Sequence, residues 1–291
     1  MMNKNRLIAL VMALGLMTGV QAKEGGDQYP NGAEDFMAGA LPPPGTYLVN
    51  YAGYFSGALY NGGGDKVGGV HVNAWFDAPR LIHVTNLKLF GGDYAFAGLV
   101  PVVNQNITTP FGGNSVTGIG DIFLTPVALG WHWPEFHLIG ALDVVLPTGL
   151  YDKNRPLRSI GANYWTFEPI LAFTYLNQQG WELSAKLMYS IRTENSSTDY
   201  RSGNEFHMDY TFGKHIGNWA LGIGGYYVKQ VENDQWHGVN LPGTAGQVLA
   251  VGPQVKYDYN NMSFIAKWQH DTLVEGRFGG DKFWFKFVYA F

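Results

Sequence analysis

The sequence predicts an all-β chain that closes into an up-and-down antiparallel transmembrane barrel of about twelve strands. Three observations predict it: a composition poor in charge and rich in aromatics and glycine, period-2 alternation that recurs in segment after segment, and a last strand with an aromatic at every second position. Charged residues make up 14% of the 291, below the roughly 25% usual in soluble domains, while aromatics reach 15% and glycine counts 39. Mean hydropathy is nevertheless -0.09, so apolar residues are interleaved with polar ones. A sheet with one lipid face and one wet face has this signature. The absence of cysteine excludes disulfides and thiol chemistry, and a formal net charge of -4 offers no basic footprint for nucleic acid.

The N-terminus reads as an export signal. Lys4 and Arg6 precede an apolar run from Leu7 to Val20, and Val20-Gln21-Ala22 supplies a small-residue cleavage site, so residues 1–22 are expected to be removed. No later stretch approaches the roughly 18 consecutive apolar residues that a spanning helix needs, which leaves strands to cross the membrane. Residues 23–45 are rich in glycine and proline and end in Leu41-Pro42-Pro43-Pro44-Gly45, a poor strand and a poor helix. A periplasmic leader and a plug-like segment tucked into the barrel both fit this composition.

Residues 46–291 carry the alternation expected of barrel strands. Expected strands are Thr46 to Ser56, Gly69 to Asp77, Tyr94 to Asn106, Gly118 to Trp131, Phe136 to Thr148 and Asn163 to Tyr175. Trp181 to Arg192, Glu205 to Phe212, Trp219 to Val231, Gln247 to Tyr257, Met262 to Asp271 and Lys282 to Phe291 complete the set. In Glu205 to Phe212 the parity is clean: Phe206, Met208, Tyr210 and Phe212 against Glu205, His207, Asp209 and Thr211. Pro79 to Gly92 has no clear parity and reads as a long turn or as two hidden strands. A large soluble β-sandwich is the rival architecture, since it too alternates.

Connections alternate in length. Asn177-Gln178-Gln179-Gly180, Asn218 and Asn260 mark tight turns, whereas Gly149 to Ala162, Thr193 to Asn204 and Glu232 to Gly246 are longer and more polar. Short turns on one side and long loops on the other are expected of the periplasmic and extracellular ends. Trp133, Tyr175, Trp181, Trp219, Tyr257 and Tyr289 then fall near the short-turn side, and Trp165, Phe206, Tyr227, Trp268 and Phe283 near the long-loop side, as two interfacial belts.

Parity assigns an inward set of Asp121, Asp143, Glu168, Lys186, Arg192, Glu205, His207, Asp209, Lys256 and Lys267 as candidate lumen-lining residues, with Tyr164, Ile170 and Met188 beside them. A lysine or arginine facing lipid at mid-bilayer would cost about 2 to 4 kcal/mol, which favours the lumen. These charges either pair across the lumen as filler or line a path. Pro126, Pro169 and Pro253 lie inside alternating runs, where a missing N–H interrupts the ladder, and are candidate wall defects. His270 has outward parity, but Gln247 to Tyr257 and Lys282 to Phe291 hold no serine, so no nucleophile–base pair is expected there. His132, His137, His207, His215 and His237 show no metal-ligand spacing, and Gly62-Gly63-Gly64-Asp65 lacks the rest of a phosphate loop.

Several motifs occur together: Gly118-Ile119-Gly120-Asp121-Ile122, Leu146-Pro147-Thr148-Gly149-x-Tyr151, Asn163-Tyr164-Trp165-Thr166-Phe167-x-Pro169, Tyr200-Arg201-Ser202-Gly203-Asn204-Glu205 and Gly252-Pro253. With Glu24-Gly25-Gly26 and Ala40 to Gly45, they resemble the phenol meta-pathway degradation family of outer-membrane proteins, itself related to FadL-type hydrophobic-compound channels. The resemblance covers essentially the whole chain after residue 22. It implies a Gram-negative outer-membrane channel for passive uptake of hydrophobic, aromatic small molecules, with no cofactor and no enzymatic activity. The segment before the first strand is shorter than the hatch of FadL-type channels. The alternative is a structural or adhesive barrel with a closed lumen and partner-binding extracellular loops. Expected partners are the lipid bilayer, lipopolysaccharide, a hydrophobic solute and the outer-membrane assembly machinery. For the last of these, Phe291 and the alternate aromatics Phe283, Phe285, Phe287 and Tyr289 resemble the terminal assembly signal, which places Lys286 in the lumen.

Overall fold

The computed structural model describes residues 27–291. The expected signal peptide lies outside the described residues. Alternation becomes strand almost without exception after Gly45: β1 (Gly45–Tyr60), β2 (Lys66–Leu89), β3 (Gly92–Leu99), β4 (Val102–Thr109), β5 (Gly112–Ile119), β6 (Ile122–His132), β7 (Phe136–Leu146), β8 (Thr166–Leu176) and β9 (Trp181–Arg192). The chain continues with β10 (Tyr200–Arg201), β11 (Glu205–Ile216), β12 (Trp219–Gln230), β13 (Gln235–Trp236), β14 (Val239–Asn240), β15 (Gln247–Tyr259), β16 (Met262–Glu275) and β17 (Phe278–Ala290).

Neighbours in sequence pair antiparallel around the wall, and β1 closes it by pairing with both β17 and β2. Setting aside the β4–β5 hairpin and the small sheet of β10, β13 and β14, twelve strands form the barrel. Closure leaves no barrel edge to be satisfied in hydrocarbon.

Two expected boundaries change. Pro79 to Gly92 is neither a long turn nor two strands. It is the lower half of β2, which runs 24 residues and turns at Phe90-Gly91 into β3. Both residues adopt positive φ there, +52° and +77°. The expected strand Tyr94 to Asn106 breaks in the middle, at Val100-Pro101, and Gly118 to Trp131 breaks near its start, at Gly120-Asp121. Below the breaks β3 pairs with β6; above them β4 and β5 form a hairpin that pairs with the upper half of β2. Pro101 cannot donate to a ladder, and its carbonyl accepts from Gly120 N at 2.8 Å, which pins the two breaks together.

Short turns at 90–91, 133–135, 177–180, 217–218 and 260–261 share one end, and the longer loops share the other. Aromatics band the wall at both ends. Trp268, Phe283, Tyr54 and Trp75 are successive cross-strand partners near the long-loop end. Near the other end Trp219 meets Tyr257 at 4.5 Å between ring centroids, and Trp181 stacks on Phe212 at 5.4 Å.

Candidate functional site: the lumen

The lumen is built by the inward parity of every barrel strand, and its two sides differ in chemistry. On one side Val49 and Tyr51 of β1, Ala78 of β2, Leu99 of β3, Phe123 of β6, Val145 of β7, Ile170 of β8, Met188 of β9 and Trp284 of β17 form one buried apolar cluster together with Tyr29 and Ala33 of the segment before β1, with Phe76, Ile82, Ala141 and Val288 against it. A second cluster of Val84, Ala95 and Ala128 shares Ile82 and Ala141 with the first and reaches Leu41 and Tyr47 near the short-turn end. Together they make an apolar seam, crossed between Phe123 and Val145 by the polar contacts of Arg80, Thr125 and Asp143. On the other side β8, β9, β11 and β16 present Glu168, Lys186, Arg192, Glu205, His207, Asp209 and Lys267, all buried.

Residues 27–44 contain no helix or strand and run between these two sides. Where a segment has no ladder of its own, its backbone groups must find other partners, and here the polar wall supplies them. Asp209 accepts from Tyr29 Oη at 2.8 Å, Gly32 N at 2.8 Å and Glu34 N at 3.0 Å. Lys267 Nζ donates to the Ala33 carbonyl at 2.7 Å and to Asp35 at 3.0 Å. Met37 N donates to Glu182 at 2.6 Å and Gly39 N to Thr174 Oγ1 at 3.0 Å. A Cβ on Gly39 would fall 2.2 Å from the Phe173 carbonyl carbon, so only glycine permits that approach to β8. At the long-loop end Gln28 donates to Asp121 at 2.8 Å, and Arg277 holds Asp27.

Glu34 is the electrostatic centre of the segment. Burial pushes its carboxyl upward, but Lys286, Lys186 and Arg80 outweigh that and hold it well below the ordinary carboxylate range. Burial, reinforced by Asp209 and Glu34, raises the Tyr29 hydroxyl well above its ordinary value, so it stays a donor.

The structure places the expected residues as follows. Asp121 accepts from Gly149 N and Ala162 N, both at 2.9 Å, fastening the long loop after β7 to the break before β6. A Cβ on Gly149 would meet the Gly161 Cα at 2.6 Å, so Gly149 of the motif and Gly161 together set this close crossing. Asp143 contacts Thr125 and lies 3.9 Å from Arg80. Arg192 pairs with Glu205, which also accepts from Arg277 at 3.1 Å. Lys256 stands apart near the short-turn mouth, partly exposed and 3.2 Å from Asp258. Tyr164 is buried, 2% exposed. Lys286 lies in the lumen, 3.2 Å from both Glu34 and Asp35. Sequence reasoning missed Arg80, Lys282 and Glu182, and every partner on residues 27–35. Lys282 and Glu182 have inward parity and were recoverable; the segment has no period to read.

The three prolines differ. Pro126 sits at a bulge where β6 shifts register against β7, close to a second shift against β3. At Pro169 the β7 ladder is continuous and the β9 ladder skips two pairs without changing register. At Pro253 the β12 ladder is continuous and the β16 ladder likewise skips two pairs. A Cβ on Gly252 would lie 1.8 Å from the Trp268 carbonyl oxygen, so the strands at that skip are in contact.

Ser190, His207 and Glu168 meet within hydrogen-bond distance, at 2.7 to 3.0 Å. Serine and carboxylate share the same imidazole nitrogen, Nε2, whereas a nucleophile relay needs them on opposite ones. Outward His270 bonds Asp281 at 2.9 Å, and neither flanking strand, β15 nor β17, contains serine. Among the described residues no group of three or more His, Asp or Glu is arranged to hold a metal.

The family model described as "Putative MetA-pathway of phenol degradation" matches residues 56–287. No curated protein matches the sequence. Among solved structures, an outer membrane channel from Pseudomonas putida F1 is similar at TM-score 0.77 and 18% identity, over 89% of this chain and 99% of that one. The β domain of the Bordetella autotransporter BrkA is similar at TM-score 0.52 and 12% identity, over 85% of this chain and all of that one. The fold is that of an outer-membrane β-barrel.

Proposed function

We propose that this chain, which belongs to the phenol-degradation family whose model it matches, is a passive outer-membrane channel for hydrophobic, aromatic small molecules and not an enzyme. The observation that carries the reading is the apolar seam on one side of the lumen. A barrel whose interior serves only as charged filler has no need of an apolar cluster drawn from eight of its strands. A solute moving down its gradient needs a surface that binds it weakly enough for release, and apolar contacts at about 25 cal/mol per Å² do so without cofactor or energy input. Residues 27–44 run between the polar side and the seam as a plug-like segment, bonded to the one and packed through Tyr29 and Ala33 against the other. Of the candidate lumen-lining residues, Asp121, Lys186, Asp209 and Lys267 act through the segment, holding it in place. We further propose export through a cleaved signal peptide, recognition of Phe291 and its strand by the assembly machinery, and contact of the outer belt with lipopolysaccharide. The breaks in pairing at Pro126, Pro169 and Pro253 are where the wall would yield if solute leaves sideways.

Toluene uptake by cells carrying parent or variant barrels in a strain lacking the chain tests this. Ala78→Phe narrows the seam and is expected to slow uptake; Leu99→Ala widens it and is expected to preserve or raise it. Both should keep the heat-modifiable migration of a folded barrel, since overpacking costs about 1 to 3 kcal/mol. Uptake that ignores both substitutions and the chain's presence would favour a closed barrel whose extracellular loops bind a partner.

A further inference from the structure

The outer wall of the barrel is apolar almost throughout. On β7 the outward side chains are Phe136, Leu138, Gly140, Leu142, Val144 and Leu146, and on β17 they are Phe283, Phe285, Phe287 and Tyr289. The β1–β2 pair breaks this pattern. Its outer face carries three cross-strand polar pairs, one at every fourth residue of β1: Thr46 Oγ1 with His83 Nδ1 at 2.9 Å, Asn50 Nδ2 donating to Asp77 Oδ1 at 2.7 Å, and Tyr54 Oη donating to Asn73 Oδ1 at 3.0 Å. Asn50 lies in the middle of the wall. Its register partners are Pro79 on β2 and Phe287 on β17, and Phe287 sits between Phe285 and Tyr289 in an aromatic run. Asp77 is one step nearer the long-loop end, opposite Ala52. Polar groups that face hydrocarbon without a full set of partners are costly. Here the set is incomplete: Asn50 spends one of its two amide hydrogens on Asp77 Oδ1, which leaves the second hydrogen and Asp77 Oδ2.

We propose that the outer face of β1–β2 is a contact between two copies of this chain, related by a two-fold axis along the membrane normal. Acyl chains offer neither donors nor acceptors to Asn50, so lipid does not complete the stripe, whereas a second protein wall does. Rotation about the membrane normal keeps every residue at its own depth, so each stripe meets its duplicate. The stripe is self-complementary. The second amide hydrogen of Asn50 in one copy meets Asp77 Oδ2 of the other, and the reverse bond forms with it. The register partners of this pair, Ala52 opposite Asp77 and Pro79 opposite Asn50, are short and let the two walls approach. Trp75, 63% exposed, and Leu81, 53%, flank the pair above and below and supply apolar contact around it. The inference goes beyond the channel reading and does not depend on what crosses the lumen.

Single thiols in the otherwise cysteine-free chain map the contact in intact outer membranes. Ala52→Cys stands beside the two-fold axis, and Leu183→Cys on β9 stands on the far wall, by the order of strands around the barrel. Under oxidation by copper phenanthroline, Ala52→Cys should yield a disulfide-linked dimer of the chain while Leu183→Cys stays monomeric. Adding Asn50→Leu and Asp77→Leu to Ala52→Cys replaces the polar pair by groups that lipid accepts. The covalent dimer should then fall by about tenfold or more, as the loss of reciprocal hydrogen bonds to a charged group predicts. Adding Asp77→Asn instead keeps a donor and an acceptor at that position and should retain most of the dimer. Heat-modifiable migration establishes that each variant is a folded barrel. Absence of a covalent dimer from Ala52→Cys overturns the contact. Equal yields from the two thiols, as random collision gives, overturn it too, and so does a yield that the paired leucines leave unchanged. A disulfide between Ala52→Cys and a different protein overturns the second copy as the occupant.

Discussion

Glu34 shows how much of the lumen rests on single side chains. Three cations from three strands converge on it, Lys286 at 3.2 Å, Arg80 at 3.6 Å and Lys186 at 3.8 Å. Its carboxyl is therefore held down in the folded chain despite burial. A carboxyl held below its unfolded value, about 4.3, adds stability that is complete above that value and is lost as pH falls towards the folded one. Docking of residues 27–35, read by hydrogen exchange at the Gly32 and Glu34 amides, should thus be flat from neutral pH to about 5 and weaken below about 4. Glu34→Gln should dock more weakly at neutral pH and show a shallower acid limb. Coincident acid limbs in parent and variant would remove Glu34 as the cause. Half of this interaction was legible in the sequence: parity alone places Lys186, Lys267 and Lys286 inward. Glu34 and Asp35 were not legible, because a segment without periodicity does not say which groups it meets.

At the scale of elements, legibility followed the sign of the alternation. β9 and β11 carry apolar residues outward and charges inward, the expected contrast for a wet lumen, and their faces are as parity predicts. β2 inverts it. Its inward positions are Val72, Ala74, Phe76, Ala78, Ile82 and Val84, broken by Arg80, while Asn73, Asp77 and His83 face outward with Trp75 and Leu81. Asn50 of β1 satisfies Asp77 on that outer face at 2.7 Å. An apolar lumen wall under a mixed outer face has no clean binary pattern, so the lower half of β2 reads as turn. The same inversion produces the seam. The β4–β5 hairpin is a separate matter, since the barrel closes beneath it through β1–β2, β2–β3 and β3–β6 pairs. Excising residues 102–119 joins Pro101 to Gly120, already hydrogen-bonded at 2.8 Å, as a short turn. The shortened chain should still fold and migrate as a heat-modifiable barrel. Failure to assemble would make the upper half of β2, and not the twelve-strand ring, the part on which closure depends.

For the whole molecule, the question is whether the segment must leave for a solute to pass. Asp209, Lys267, Lys286, Glu182, Thr174, Asp121 and Arg277 all hold it, most through buried or part-buried bonds to a charged group. Such bonds contribute about 1.5 to 3 kcal/mol each, although not additively. Releasing them all would leave buried charges unpaired on both the segment and the wall, which is the strongly destabilising case. A passive channel has only the solute's gradient and its weak apolar contacts to offset that. The prediction is therefore that the segment stays in place during transport and that the solute moves beside it. Because the chain has no cysteine, one introduced thiol reports on this cleanly. Ala33, 3% exposed and set between seam and polar wall, is a position where Ala→Cys changes little volume. Its modification by a small water-soluble thiol reagent should be slow, and saturating toluene should leave that rate unchanged or lower it by filling the seam. Acceleration by toluene would show instead that the segment swings out with each passage, and transport would then be gated by the polar wall's hold on residues 27–35 and not by the width of the seam.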